Sequence, residues 1–250
     1  MLDEPRNIRL KLEYDGTDFC GWQIQPGART AQGALESALA QLLGSRHRVV
    51  AASRIDSGAH ARGQVVSFHS RSELPVERLL MALNAVLPRD IVVREASDAA
   101  PDFNARRSAR SRRYSYRVVV GPTALWRERA WSVRRPLDVS RMQAACAAVL
   151  GLRDFRAFSA GVEDNDSTLC TVIECRWRDW AESGGTGYMF EISADRFVRY
   201  MVRTLAGTMV RIGEGRLEPA ELGVGLESRQ RHRLAYTAPA HGLCLEEVIY

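Results

Sequence analysis

Apolar and polar residues alternate through residues 7–13 (NIRLKLE), the period of two expected of a strand with one buried face. The stretch after it, YDGTDFCGWQIQPGAR, has the Gly, Asp and Pro content of a long loop. Thr30 then stands where a helix cap is needed, and Ala34, Leu35, Ala38, Leu39 and Leu42 recur at helical spacing, which predicts a helix over 31–43. A strand over 48–53, the loop RIDSGAHAR and a strand over 63–69 follow. A helix over 75–87 is stopped by Pro88, and DIVVREA predicts a strand over 90–96. The resulting order is β-α-β-β-α-β.

Beyond PDFNARRSAR the pattern begins again with a strand over 112–120 (RRYSYRVVV), and an irregular Trp- and Arg-rich stretch succeeds it. Val139, Met142, Ala145, Cys146 and Val149 form the apolar face of a helix over 138–150. Strands over 169–180 and 188–194, a long helix over 196–213, a short helix over 219–226 and a final strand, LCLEEVIY, complete the chain. The same element order recurs without visible sequence identity, as in tandem ferredoxin-like units.

Composition narrows the class. With 46% apolar and 26% charged residues over 250 positions, the chain has ordinary globular make-up and enough apolar material for a core. No apolar run reaches the ~18 residues of a membrane span, because LLMALNAVL is interrupted by Asn84 and ended by Pro88. MLDEPRNIRL lacks a secretory apolar region, so a cytoplasmic protein is expected. The five cysteines (20, 146, 170, 175, 244) form no CxxC pair, which argues against a disulfide framework and a zinc site. The five histidines (47, 60, 69, 232, 241) form neither HExxH nor HxxxH, and neither a metal nor a nucleotide cofactor is expected.

Charge changes the picture more. The net charge of +5 is modest, yet residues 106–135 hold ten arginines against one acid, Glu128, with Tyr114, Tyr116, Trp126 and Trp131 interleaved. Guanidinium forks match phosphate oxygens and aromatic faces stack on unpaired bases, so Arg106, Arg107, Arg110, Arg112 and Arg113 are candidate RNA contacts. The competing explanation is a solvated basic face in a chain whose one lysine is Lys11.

The acid in RIDSGAH admits several readings. Asp56-Ser57-Gly58 is ordinary turn chemistry, with the carboxylate capping a nearby N–H. It also matches the D-[ST]-G-[AS] signature of aspartic proteases, in which two carboxylates share a proton. That reading needs a second copy, from a dimer, because no other DSG or DTG occurs; it also leaves the arginines unexplained.

The wider neighbourhood, SRIDSGAHARGQVVSF, resembles a loop of the TruA family of tRNA pseudouridine synthases. Further family-like segments follow in order: YDGTDFCGWQIQ (14–25), LNAVLPRDIVV (83–93), FNARRSARSRRYSYRV (103–118), DFRAFS (154–159), FVRYMVRTLAGTMVRIGEG (197–215) and APAHGLCLEEVIY (238–250). Ser53, Ile55, Ser57 and Ala59 stand where the family loop has Gly, Thr, Ala and Val, and Asn104 replaces a histidine.

The resemblance implies a tRNA pseudouridine synthase, an isomerase acting without cofactor on anticodon stem-loop uridines at conventional positions 38, 39 and 40. By position, Asp56 is its catalytic aspartate, acting as nucleophile at C1′ or as base toward a glycal. Arg203 is the helix-borne arginine that pairs with it. Tyr114 is the tyrosine that stacks on the target uracil, and Arg54 is the arginine that fills the space of the flipped base. Leu245, with Leu243, resembles the apolar floor beneath the aspartate, while His60 is not implied to be catalytic. The implied fold is α/β (α+β): two ferredoxin-like, RRM-like halves, 1–105 with the Asp56 loop and 106–250. Their antiparallel sheets would join into one, with helices on one face and a basic central cleft. tRNA is the implied partner and a homodimer the implied assembly. A non-catalytic RNA-binding protein of the same fold is the alternative.

Overall fold

A computed structural model of the chain describes residues 5–161, 163, 166–228 and 234–250. Of the candidate histidines, His232 lies outside the described residues. The described residues form ten strands and five α-helices, and no helix among them is long and apolar enough to cross a membrane. Internal packing divides the chain into one unit of residues 1–110 and 245–250 and another of 111–244.

In the first unit, β1 (Arg6–Tyr14) buries Ile8, Leu10 and Leu12 completely, as its alternation requires. Helix α1 (Ala31–Leu43) begins at Thr30, whose hydroxyl accepts the Gly33 N–H, and ends at Gly44 in the left-handed region. Strand β2 is only Val50–Ala51, shorter than the expected 48–53. The buried Gln64 carboxamide explains the shortening, because it takes both the N–H and the C=O of Ser53 and so occupies the groups a longer ladder would use. Strand β3 (His60–Ser70) starts three residues before the expected 63, so His60 lies on a strand rather than in the loop. Helix α2 (Val76–Val86) buries Leu79 and Leu83 and stops before Pro88. Strand β4 (Ile91–Ala99) lies antiparallel to β1, and β1 antiparallel to β3, with β2 on the far side of β3.

The second unit opens with β5 (Ser111–Val120), to which β6 (Trp131–Val133) adds a short parallel ladder. Helix α3 (Val139–Cys146) is capped by Asp138 and tightens into a 3₁₀ turn through Val149. Strands β7 (Gly151–Asp154), β8 (Leu169–Asp179) and β9 (Gly187–Ala194) form antiparallel pairs in the order β5-β9-β8-β7. Strands β6 and β7 are absent from the sequence reading because three or four residues carry too little periodicity to detect.

Helix α4 (Met201–Gly213) is shorter than the expected 196–213. Asp195 Oδ1 accepts the N–H of Thr171 at 2.8 Å and of Arg196 at 2.6 Å, and Tyr200 adopts φ 66°; both keep this approach out of the helix. Every residue of α4 is buried except Arg203 and Arg211, so the helix offers solvent only its arginines. Helix α5 (Pro219–Glu227) starts with Pro at its first position and a Glu218–Glu221 capping box. The final strand, β10 (Leu243–Ile249), has its residues from 245 onward in the first unit, where the sequence reading ran the second half to 250. There Gly63 meets Glu246 closely: a Cβ at 63 would lie 2.4 Å from its carbonyl oxygen.

Candidate active site

The main chain of the Asp56 loop is tied down on both sides of the acid. Trp22 donates its N–H to the Ile55 carbonyl at 3.0 Å, and Gly58 donates to the Phe19 carbonyl at 3.2 Å, which also accepts the Ser57 hydroxyl. The Ala59 N–H returns to the Asp56 carbonyl at 3.2 Å, closing a turn in which Gly58 has φ 77°. Two glycines of YDGTDFCGW make the approach possible. A Cβ at Gly16 would lie 1.8 Å from the Ala59 oxygen, and one at Gly21 would lie 2.8 Å from the Ile55 oxygen.

The departures from the family loop fit this frame. Ser53 is engaged through its backbone, by Gln64. Ile55 is a core residue, 6% exposed, and points its carbonyl at Trp22. Beneath the loop, Tyr14 meets Phe19 edge-on at 5.9 Å and Trp22 at 6.2 Å. The Arg29 guanidinium covers the Phe19 ring at 4.1 Å and binds Asp90 through two bonds, of 2.8 and 2.9 Å.

His60 serves the same frame. Its Nδ1 accepts the Gly16 N–H at 3.0 Å, and Asp15 Oδ1 lies 3.1 Å from that same nitrogen. One ring nitrogen cannot accept from Gly16 and donate to Asp15 at once. The Gly16 bond is the one we assign, because it satisfies a buried main-chain donor.

On the sequence-predicted residues of this unit, Asp56 is partly exposed and Arg54 is exposed. The Arg54 side chain makes no hydrogen bond or ion pair among the described residues. Leu245 is fully buried at the start of the first unit's share of β10. Asn104, in the family's histidine position, caps a turn: its Oδ1 accepts the N–H of Arg106 at 3.1 Å and of Arg107 at 3.0 Å. The side chains of Arg106, Arg107 and Arg110 are consequently presented outward around a fixed turn.

Arg112 behaves differently from its neighbours. It is 7% exposed and donates to the Asp195 carbonyl at 2.8 Å, so its guanidinium is bonded at the end of the β5–β9 ladder instead of facing solvent. Arg113 is partly buried.

In the second unit, Tyr114 is 6% exposed on β5, its ring edge-on to Phe197 at 5.0 Å. Tyr116, two residues on, donates its hydroxyl to the Pro239 carbonyl at 2.7 Å, and burial pushes its phenol well above the usual tyrosine range. Gly242 is required beside it, since a Cβ there would come within 2.6 Å of the ring. Arg203 sits one turn into α4. Its Nε donates to the Ala238 carbonyl at 2.9 Å, while the Ala238 N–H donates to the Arg203 carbonyl at 3.1 Å. Gly207 lets this segment approach the helix: a Cβ at 207 would stand 2.1 Å from the Tyr236 oxygen. The Tyr200 ring packs against the Arg203 guanidinium at 5.0 Å.

Sequence reasoning did not single out Gln64, Ala238 or Tyr200. Gln64 was visible as part of the GQV motif, whereas a carbonyl clamp and a left-handed tyrosine leave no mark on residue type.

A family model described as tRNA pseudouridine synthase matches residues 12–106 and 145–250, and the chain belongs to that family. Asp56 and Arg203 fall within the matched residues, and Tyr114 falls between them. Among curated relatives the resemblance is to proteins named tRNA pseudouridine synthase A. The chain is 42% identical over 247 residues to that of Moorella thermoacetica, covering 97% of this chain and 99% of the relative. It is also 42% identical to that of Myxococcus xanthus (97% and 91% covered) and 41% identical to that of Chlorobium luteolum (98% and 96% covered). This membership sets aside the aspartic-protease reading of D-S-G-A.

Proposed function

We propose that this protein isomerises uridine to pseudouridine in tRNA, at positions 38, 39 and 40 of the anticodon stem-loop, with Asp56 acting on the sugar of a flipped uridine. The observation that carries the reading is the Asp56 loop itself. A partly exposed carboxylate is held on a turn fixed at Phe19, Trp22 and Gly58, beside an exposed Arg54 with no partner among the described residues. A rigid acid next to an uncommitted cation suits a polyanionic substrate.

The chemistry follows from what the isomerisation demands. The C1′–N1 bond breaks, the uracil turns, a C1′–C5 bond forms, and the proton on C5 leaves. An ionised Asp56 either attacks C1′ and is later displaced by C5, or removes a sugar proton to give a glycal and returns that proton to the same carbon as C5 adds to C1′. Arg203 pairs with the carboxylate and Tyr114 lies against the uracil. Arg54 occupies the space the base vacates, which offsets part of the few kcal/mol that flipping costs. Leu245 lines the floor. Arg106, Arg107, Arg110 and Arg113 contact the RNA backbone. Because Arg112 is buried and bonded to Asp195, its part is to support the strand that carries Tyr114. We further propose that the protein is cytoplasmic and acts as a homodimer.

The test is incubation with unmodified tRNA, without added cofactor, followed by mapping of pseudouridine. Conversion confined to the anticodon arm supports the reading, and tRNA binding without conversion supports the non-catalytic alternative. Asp56→Asn is expected to abolish conversion while leaving tRNA affinity within a few-fold of wild type. Full activity of that variant would remove Asp56 from its role.

A further inference from the structure

Tyr200 is the one non-glycine residue with positive φ among the described residues, at φ 66° and ψ 0°. A bulky aromatic pays a steric cost in that conformation, whereas glycine or asparagine would not, so its presence asks for a compensating role. The side-chain geometry supplies one. The left-handed turn at the N-cap of α4 brings the ring close to two guanidinium groups, Arg199 at 4.9 Å and Arg203 at 5.0 Å from its centre. Arg199 Nη2 also lies 3.2 Å from the Tyr200 hydroxyl, and the Arg199 carbonyl accepts the Ala160 N–H at 3.2 Å, which ties that neighbour to the segment after Phe158.

Arg203 is thereby held by unlike contacts. The Ala238 carbonyl takes Nε, and the Tyr200 face limits rotation of the guanidinium plane. Helix packing cannot do this alone, because Arg203 and Arg211 are the α4 residues that are not buried.

We propose that Tyr200 is a positioning residue for the isomerisation, fixing the plane of the Arg203 guanidinium through its aromatic face, with its strained backbone as the means of placing the ring. The inference rests on the role of Arg203 given above. It requires an aromatic ring at 200 and does not require the hydroxyl.

Single-turnover conversion of unmodified tRNA, tRNA affinity and melting temperature, measured on Tyr200→Phe, Tyr200→Asn and Arg203→Ala, test it. Tyr200→Phe should stay within about two-fold of the wild-type rate, because the ring face remains. Tyr200→Asn should lose about ten-fold or more in rate, as misplaced groups do, with tRNA affinity within about two-fold. Its melting temperature should be equal or higher, since asparagine accepts the left-handed backbone. A wild-type rate in Tyr200→Asn overturns the proposal, as does a loss confined to tRNA affinity or shared equally by Tyr200→Phe. Arg203→Ala separates this failure from a failure of its premise: full activity there removes Arg203 from the reaction, whatever Tyr200 does.

Discussion

Around Asp56 the holding contacts engage the loop's main chain on both sides of the acid: Trp22 to Ile55, Gly58 to Phe19, Ala59 to Asp56 and the Gln64 carboxamide to Ser53, with Gly16 and Gly21 giving the clearance. Around Arg203 side chains add to the main-chain bond with Ala238: the Tyr200 ring lies on the guanidinium, the Tyr116 hydroxyl on Pro239 and the Phe197 ring on Tyr114. The difference teaches where each region tolerates change. A turn held through its N–H and C=O groups accepts a new side chain where the backbone alone is engaged, as at Ser53, but no added Cβ where two backbones meet. A helix start built on rings and a guanidinium responds to the identity of the side chains.

The sharpest way to break this contrast is Gly16→Ala. The new Cβ would overlap the Ala59 oxygen, 1.8 Å away, and the loop backbone would have to move. A destabilisation of about 3 kcal/mol, at the upper end for overpacking, is expected together with loss of pseudouridine formation. Urea denaturation and the tRNA assay check both. A variant of wild-type stability would mean that the Gly16–Ala59 approach does not hold the loop.

Gln64→Leu comes next. The carboxamide is fully buried and serves Ser53 as both acceptor and donor, so leucine strands two polar groups, at about 2 kcal/mol. Activity should fall in that variant more than its stability requires, because the Ser53 end of the loop is released. Comparison of denaturation midpoints with single-turnover rates decides it.

Tyr116→Phe tests the side-chain half at about 1 kcal/mol, the usual net worth of one buried hydroxyl bond. It has a pH signature. Because the folded-state pKa of Tyr116 is raised by burial, its contribution is complete below the ordinary tyrosine range and is lost as pH rises through and above it, where only the unfolded chain ionises. Wild-type stability should therefore fall more steeply than that of the variant on the alkaline side, measured by denaturation at a series of pH values.

The smallest effect is expected of Ser53→Gly, within about 0.5 kcal/mol and with activity unchanged, since Gln64 engages the main chain there. A loss above about 1 kcal/mol would show that the loop depends on the serine side chain after all.

Much of this was legible in residue order, for physical reasons that differ by element. Helix α1 ends where it was expected because its cap and stop are local: the Thr30 hydroxyl reaches Gly33, and Gly44 alone bears the left-handed turn. Helix α4 starts at Met201, five residues after the 196 that its pattern predicts. There Asp195 spends its carboxylate on Thr171, a bond across 24 positions that no local pattern contains. Strand β2 shrank for the same kind of reason, through Gln64. Among the proposed site residues, Asp56, Arg54, Tyr114 and Arg203 stand out by their ordered motifs, whereas the residue type of Arg112 does not distinguish it from its exposed neighbours, from which its burial against Asp195 separates it.

By itself, then, the sequence determined the reaction class and most of the elements, because motif chemistry, caps and two- or near-four-residue periodicity are carried by neighbours along the chain. Tertiary structure alone decided how the charged groups are held. It made His60 and Gln64 struts of a main-chain turn, withdrew Arg112 from solvent, and set a strained tyrosine against Arg203. Those outcomes depend on residues far apart in sequence meeting within a few ångströms, and such meetings are fixed only when the chain packs.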